Sequence, residues 1–256
     1  MNTAPTACTG PPVRAIALDF DGVICDGSTE CAVTTWNAWT GRSVPAGPAG
    51  AVPASFLDRF LSLRGYARQL GHFVVPLLGP SAPIDDQAAF DACFAAIPAE
   101  RVDRFVAAAE RYRATARRLD PQRWLAQHRV HAPALETLRA LPLSYVVTAK
   151  DVQSVIEILA AYGLELEPDR IYGGLRDKLD ALADVARRSA LPAEAVLFVD
   201  DSVANVVAAR AAGFDARWAT WGFHTPDQLR TADALGLPRL ALADLDDELG
   251  LVPAGR

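Results

Sequence analysis

The second half of the chain alternates short apolar runs with amphipathic helical patterns, and this feature limits the possible folds most. Apolar runs occupy residues 143–147, 171–172, 196–199 and 216–219, and helical patterns separate them. Asp151 stands where it can cap the N-terminus of the first of these helices. Strands and helices that alternate in this way form a parallel sheet with helices on both faces. We therefore predict a doubly wound, Rossmann-like α/β fold.

A first apolar run, residues 13–18, lies more than a hundred residues before the second one. A crossover between parallel strands needs far fewer residues, so the intervening stretch must be an insertion with its own small core. The spacing of its apolar residues predicts helices over 56–70 and 102–119.

These patterns predict two domains. The catalytic α/β core comprises residues 13–24 and 123–256, and an α-helical cap domain comprises residues 25–122. We expect a loose leader over residues 1–12 and a terminal helix with a solvated face from about Leu240. Gly- and Pro-rich stretches predict loops at residues 41–53 and 78–83.

Composition and charge exclude several classes of protein. The chain is 51% hydrophobic and 22% charged, which is ordinary for a protein with a buried core. Its net charge is −6, so it lacks the basic surface of a nucleic-acid-binding protein. No apolar run has the length of a membrane span, and residues 1–12 lack a signal-peptide pattern. Four cysteines without zinc-site spacing favour a reduced, cytoplasmic compartment.

Two carboxylates follow the first apolar run directly. Asp19 and Asp21 are two residues apart, so both side chains can face one site. Gly22 then permits a sharp turn of the backbone. Carboxylates this close repel one another unless a cation lies between them or one of them is protonated. A hard divalent cation with oxygen ligands, Mg²⁺, is therefore expected.

Three further polar groups belong to the same predicted edge of the sheet. Asp200 and Asp201 end the run at 196–199, Thr148 ends the run at 143–147, and Lys178 opens a helix. Ligands bind beyond the carboxyl ends of strands in open α/β sheets. Of the 25 basic residues only Lys150 and Lys178 are lysines, which favours positions that need a compact ammonium group.

This order of motifs resembles the haloacid dehalogenase superfamily of phosphotransferases. The family has an Asp-x-Asp strand end, then a Ser or Thr strand end, then a lysine, then an acidic strand end. The resemblance covers residues 13–24 and 125–225. It also implies a reason for the long insertion, because many members carry a helical cap between the first two motifs.

The resemblance implies a role for each matching residue. Asp19 is the nucleophile that forms an aspartyl phosphate, and Asp21 is the acid/base for the leaving oxygen and the attacking water. Thr148 and Ala149 bind phosphoryl oxygens, and Lys178 neutralises charge on the nucleophile and the transferred group.

The metal ligands implied by the resemblance are Asp19, the backbone carbonyl of Asp21, and Asp201. Many members have Gly-Asp-Ser at the last strand end, which aligns Asp201 with the ligand. Neighbouring strand residues point to opposite sides, so Asp200 is expected to lie behind the metal and to pair with Lys178. Two positions depart from the family pattern, since Asn205 replaces an acid and Leu179 replaces a proline.

The implied function is a Mg²⁺-dependent phosphatase that acts on a small phosphorylated metabolite. Asp21 favours phosphoester over carbon–halogen cleavage, because a halide needs no proton as it leaves. A phosphomutase of the same fold shares every core residue and remains an alternative. A receiver-like phospho-acceptor and a non-catalytic binding protein are less favoured, owing to the large insertion and the complete set of polar residues.

Several cap and turn residues are open to two interpretations. Arg64, Arg68 and His72 recur every four residues and are predicted to form one helical stripe, which either binds an anionic group of the substrate or is a solvated face. Trp36 and Trp39 are interpreted as cap core in preference to a substrate platform. Lys150 is interpreted as part of a solvated helix start, in preference to a phosphate contact.

Overall fold

In the computed structural model, residues 14–42, 44, 52–79 and 83–249 are described. The predicted leader and parts of both predicted loops lie outside the described residues. The strands are β1 (Ala15–Leu18), β2 (Cys25–Asp26), β3 (Arg129–Val130), β4 (Ser144–Val147), β5 (Ile171–Tyr172), β6 (Val196–Asp200), β7 (Asp215–Ala219) and β8 (Arg239–Leu240). Six of them form a parallel sheet in the order β5-β4-β1-β6-β7-β8.

Strand β1 lies inside the sheet, between β4 and β6. Its four residues are at most 2% exposed, because helices cover both faces of the sheet. The chain builds β4 and β5 on one side of β1 and then returns to the other side with β6. A crevice for ligands forms at such a reversal, at the carboxyl end of the strands.

The described part of the second half contains six α-helices. They are α7 (Ala132–Ala140), α8 (Val152–Ala161), α9 (Leu179–Ser189), α10 (Val203–Ala211), α11 (Pro226–Ala234) and α12 (Leu245–Glu248). Ile16 and Leu18 of β1 pack in the cluster that includes residues of α7 and α8. Ala15 and Ala17 pack in the cluster that includes residues of α9 and α10. The predicted doubly wound sheet is confirmed.

The long stretch between β1 and β4 is helical. Its helices are α1 (Ser28–Thr40), α2 (Ala54–Leu63), α3 (Val75–Leu78), α4 (Gln87–Ala95), α5 (Ala99–Leu119) and α6 (Pro121–Leu125). Helices α1 and α5 pack along one another, and a separate apolar cluster around Phe60 and Phe105 joins them to α2. The antiparallel pair β2–β3 links the two ends of this stretch.

The helix predicted over 56–70 is too long, since α2 ends at Leu63 and a 3-10 turn, Arg64–Tyr66, follows. Gly65 packs against the backbone of His224, where an added Cβ would lie 3.0 Å from the His224 Cα. The chain is extended at Ala67, which ends this helical stretch. A contact with a distant segment therefore accompanies the end of the helix.

The predicted terminal helix begins slightly later than expected, with a 3-10 turn over Leu242–Asp244. Leu240 belongs to the edge strand β8, where Thr220 donates its N–H to the Leu240 carbonyl. The helix after it, α12, has only four residues. Within the described residues, no helix is both long enough and apolar enough to cross a bilayer.

Candidate active site

Asp19 follows the last residue of β1 and is 8% exposed. Its N–H donates to the Val199 carbonyl of β6 at 2.9 Å, which continues the sheet by one residue. The Phe20 N–H donates to Asp19 Oδ1 at 2.7 Å. Burial raises the pKa of Asp19 to about 6, although the ammonium of Lys178 lowers it. The carboxylate is thus held rigidly at the carboxyl end of an inner strand.

Lys178 directly precedes α9, and its side chain bridges two carboxylates. Its Nζ lies 2.9 Å from Asp19 Oδ1 and 2.7 Å from Asp200 Oδ2. Burial alone would lower the pKa of Lys178, but Asp19 and Asp200 raise it above its ordinary value. The lysine is therefore a buried cation directly behind Asp19.

Asp200 is the last residue of β6 and is fully buried. Its Oδ1 accepts the Ser202 N–H at 2.7 Å, and its Oδ2 accepts from Asn205 Nδ2 at 3.0 Å as well as from Lys178. The predicted pairing of Asp200 with Lys178 is present. Asn205, the departure from the family pattern, donates to this same carboxylate.

Asp201 packs closely against two glycines. Its Oδ2 accepts the Phe223 N–H at 2.7 Å, and its carbonyl accepts from Trp218 Nε1 at 2.8 Å. An added Cβ on Gly22, whose φ is +92°, would lie 1.9 Å from Asp201 Oδ2, and one on Gly222 would lie 2.3 Å from its Cβ. Burial, with Asp19 and Asp200 nearby, raises the pKa of Asp201 well above its ordinary value.

The three acids form a cluster that suits a divalent cation. Single oxygens of Asp19, Asp200 and Asp201 lie within 4.8 Å of one another, and all three residues are buried. Among the described residues, Lys178 is the cation that forms ion pairs with this cluster. Three clustered carboxylates repel one another unless a cation lies between them, and hard oxygen donors are the ligands that Mg²⁺ prefers. The residues present therefore fit Mg²⁺.

Asp21 does not join this cluster. Its two carboxylate oxygens lie 3.3 and 3.5 Å from Lys150 Nζ. Lys150 is 5% exposed, so its interpretation as a solvated helix start is wrong. The turn after β4 places it beneath the loop that follows β1, because these strands are neighbours in the sheet.

Thr148 directly follows β4 and is 1% exposed. Its Oγ1 accepts the Lys150 N–H at 3.2 Å. Its backbone N–H donates to the Tyr172 carbonyl, and its carbonyl accepts from Leu175. Thr148 and the adjacent Ala149 are therefore at the same sheet edge as Asp19, since β4 pairs with β1 in parallel.

The predicted stripe of Arg64, Arg68 and His72 does not exist as one helical face. The Arg64 guanidinium stacks on Phe223, with its Cζ 4.2 Å from the ring centroid. Its Nε is buried without a hydrogen-bond partner among the described residues. The Phe223 N–H donates to Asp201, so Arg64 lies near the acidic cluster, where its charge opposes the rise in the pKa of Asp201.

The other two members of the predicted stripe lie apart from the cluster. Arg68 is exposed and donates to both oxygens of Asp91, at 2.9 and 3.1 Å. His72 is buried, with its ring 4.5 Å from that of Phe94. The 3-10 turn after α2 breaks the helical spacing, so the four-residue repeat does not place these side chains on one face.

The two tryptophans of α1 have different surroundings. Trp36 packs on Phe56 with ring centroids 5.0 Å apart, as expected for a core residue. Trp39 is 39% exposed, so it is not a core residue.

Sequence reasoning missed a buried ion pair next to the site. Glu30 of α1 is fully buried, and its two oxygens accept from Arg113 of α5 at 2.8 and 3.0 Å. Thr34 Oγ1 and Trp124 Nε1 donate to the same carboxylate. The sequence shows only that α1 carries an acid and α5 an arginine. Their pairing becomes evident once the two helices are packed against one another.

Both the sequence and the fold resemble those of known hydrolases. A family model described as haloacid dehalogenase-like hydrolase matches residues 13–213. No curated protein has a matching sequence. Among solved structures, a haloacid dehalogenase-like family hydrolase from Streptococcus pneumoniae has 19% identity and a TM-score of 0.57, covering 94% of this chain and 99% of its own.

Two further solved structures are similar in fold. A predicted phosphoglycolate phosphatase from Haemophilus somnus has 18% identity and a TM-score of 0.59, with 92% of this chain and 97% of its own covered. A predicted phosphatase from Clostridium acetobutylicum has 14% identity and a TM-score of 0.61, with 94% and 100% covered. The family match includes both β1 with Asp19 and β6 with Asp200. The chain therefore belongs to the haloacid dehalogenase-like hydrolases.

Proposed function

We propose that this hydrolase is a Mg²⁺-dependent phosphatase that cleaves small phosphomonoesters through an aspartyl phosphate on Asp19. The observation that carries the proposal is the pairing of a buried strand-end carboxylate, Asp19, with the buried ammonium of Lys178 at 2.9 Å. Such a pair offers a nucleophile together with a cation that stabilises the charge of a transferred phosphoryl group. The phosphatase descriptions of two structures similar in fold support it.

The chemistry proceeds in two displacements. One oxygen of Asp19 attacks phosphorus, the bond from phosphorus to the leaving oxygen breaks, and Asp21 gives that oxygen a proton. Asp21 then takes a proton from water, whose oxygen attacks phosphorus. The bond between phosphorus and Asp19 breaks, and inorganic phosphate leaves. Each displacement therefore needs Asp21 in the opposite protonation state.

The remaining residues hold the phosphoryl group and the metal. The Thr148 hydroxyl and the Ala149 N–H bind phosphoryl oxygens at the end of β4, and Lys178 balances charge behind Asp19. Asp19, the Asp21 carbonyl and Asp201 would hold Mg²⁺, which supplies electrostatic stabilisation to the phosphoryl oxygens when it is bound.

In this proposal the helical residues 25–122 act as a cap over the site, with residues 13–24 and 123–256 as the catalytic core. Arg64 binds a second polar or anionic group of the substrate. The unpartnered Nε of Arg64 and its place beside Asp201 support this role. The ion pair with Asp91 leaves Arg68 less available for the same task.

The function is tested with nitrophenyl phosphate and an alkyl phosphate as paired substrates. Asp19→Asn should abolish turnover of both, because an amide is not a nucleophile. Asp21→Asn should spare release of nitrophenolate in the first turnover but slow the alkyl ester by about a hundredfold or more, because only the alkoxide needs a proton. Chelation by EDTA should stop turnover, and Mg²⁺ should restore it.

The matched control is Asp169→Asn, because Asp169 is an exposed carboxylate that pairs with Arg188 and precedes β5, at the sheet edge opposite the site. It should behave as wild type. Turnover by Asp19→Asn close to that of the control, or full activity in EDTA, would contradict the proposed function.

A further inference from the structure

Lys150 and Asp21 form an ion pair in which the cation is more deeply buried than the acid. The Lys150 side chain is 2% exposed, whereas that of Asp21 is 19% exposed. The ammonium therefore lies deeper in the protein than the carboxylate, and the carboxylate lies nearer the solvent. Such an arrangement fixes the acid from behind and leaves a face of it accessible.

The Lys150 ammonium faces two acids. It contacts both oxygens of Asp21, and the buried carboxylate of Glu30 of α1 lies nearby. His128 also lies nearby, and Arg113 is held by Glu30. His128 contributes no cation at neutral pH, since burial and then Lys150 lower its pKa to about 4.

Gly27 packs against the Asp21 carboxylate next to Lys150. An added Cβ at this residue would lie 2.8 Å from Asp21 Oδ1, but 3.5 Å from His128 Cδ2 and 3.7 Å from Lys150 Nζ. Its φ of −102° and ψ of 14° are accessible to alanine. A methyl group here would therefore press mainly on the Asp21 oxygen.

We propose that Lys150 is a positioning residue, whose buried ammonium holds the Asp21 carboxylate against the backbone of Gly27, in the place from which it exchanges a proton with the leaving oxygen. The inference rests on the acid/base role given to Asp21 in the proposed function. Lys150 itself contacts neither substrate nor metal in this proposal. Its removal should impair proton transfer selectively.

The test uses Lys150→Met in the full-length protein with the same two substrates. For the alkyl phosphate, kcat should fall by about ten- to a hundredfold while KM changes by less than about twofold, because proton transfer acts in the transition state. The first-turnover release of nitrophenolate should stay within about threefold of wild type, since that leaving group needs no proton. Combined with Asp21→Asn, Lys150→Met should cause no further loss.

Arg117→Met is the matched control. This variant removes another mostly buried cation, which lies between α5 and the start of α8 and pairs with Asp151 at 2.9 Å. Among the described residues, Arg117 makes no hydrogen bond or ion pair with Asp21. The variant should leave the ratio of the two substrates unchanged. An equal loss on both substrates in Lys150→Met, or a loss that adds to that of Asp21→Asn, would overturn the proposal.

Gly27→Ala tests whether the position of Asp21 controls proton transfer if Lys150→Met does not fold. It retains every charge and displaces the Asp21 oxygen, so it should also slow the alkyl ester selectively. Wild-type behaviour of Gly27→Ala on both substrates would show that the position of Asp21 is not critical, and the proposal would be wrong. If Asp21→Asn itself lacks selectivity, the acid/base role in the proposed function fails instead.

Discussion

Two arginines four residues apart have different surroundings, and this difference matters at the scale of single residues. Arg64 stacks on Phe223 beside the acidic cluster and has an unpartnered, buried Nε. Arg68 is exposed and bound to Asp91. A buried guanidinium N–H without an acceptor costs free energy unless a ligand supplies one. Arg64 is therefore the better candidate for substrate recognition.

We expect Arg64→Ala to change substrate selectivity. For a phosphate ester that carries a second anionic group, kcat/KM should fall by about ten- to a hundredfold, which corresponds to the loss of a charged hydrogen bond of about 1.5–3 kcal/mol. Nitrophenyl phosphate, which lacks such a group, should be turned over almost as before. Arg68→Ala serves as the control. Identical behaviour of the two variants across a panel of phosphorylated acids would argue against this role.

At the scale of elements, the turn between β4 and α8 serves both the site and the packing of the helical insertion. It carries Thr148 and Lys150 toward the site, and it ends at Asp151, which caps α8 as the sequence predicts. The Asp151 Oδ1 accepts the Ser154 N–H at 2.9 Å and also pairs with Arg117 of α5. One residue therefore stabilises the helix start and a contact with the insertion.

Two substitutions at Asp151 should separate these contributions. Asp151→Ala removes the cap and the ion pair, and should lower the free energy of unfolding by about 1–2 kcal/mol. Asp151→Asn keeps an oxygen that caps the helix, so it should cost about half as much or less. Urea denaturation measures both values. Equal losses in the two variants would assign the stabilisation to Arg117 and not to the cap.

At the scale of the whole molecule, buried histidines make stability depend on pH. Burial, followed by the charge of Arg68, lowers the pKa of His72 from 6.5 to about 4. Between these values the unfolded chain binds the proton more readily than the folded one. The stabilisation from neutral His72 is therefore complete above about pH 6.5 and is lost as the pH falls through about 4.

The comparison of wild type with His72→Gln isolates this effect. The stability difference in favour of wild type should shrink by on the order of 1–3 kcal/mol as the pH falls from 6.5 to 4. Below pH 6.5 the imidazole of unfolded wild type is protonated and must lose its proton on folding, whereas glutamine does not titrate. Urea denaturation at constant Mg²⁺ and ionic strength measures the stability difference, in which other titrating groups cancel. A difference that stays constant over this range would contradict the prediction.

The strand-end residues could be placed from the sequence because their positions follow from local pattern. A buried parallel strand is recognisable as an apolar run, and its first polar residue must lie at the carboxyl edge of the sheet. The pattern therefore places Asp19, Thr148 and Asp200 at one edge of the sheet without reference to any tertiary contact. The same reasoning predicted α5 and the cap of α8, since helical spacing and a capping side chain act within a few residues.

Local pattern could not place the side chains that depend on contacts between distant segments. Lys150 looks like a solvated residue until the loop after β1 is packed over it, and Glu30 looks like a surface acid until α1 meets α5. The end of α2, the separation of Arg64 from Arg68 and the strand at Leu240 have the same origin. The sequence by itself determined the sheet and the edge that carries the chemistry, because strand and helix periodicity are short-range. Only the tertiary structure decided how Lys150, Glu30 and Arg64 are buried and paired, because the cost of burying a charge depends on every neighbour that the fold supplies.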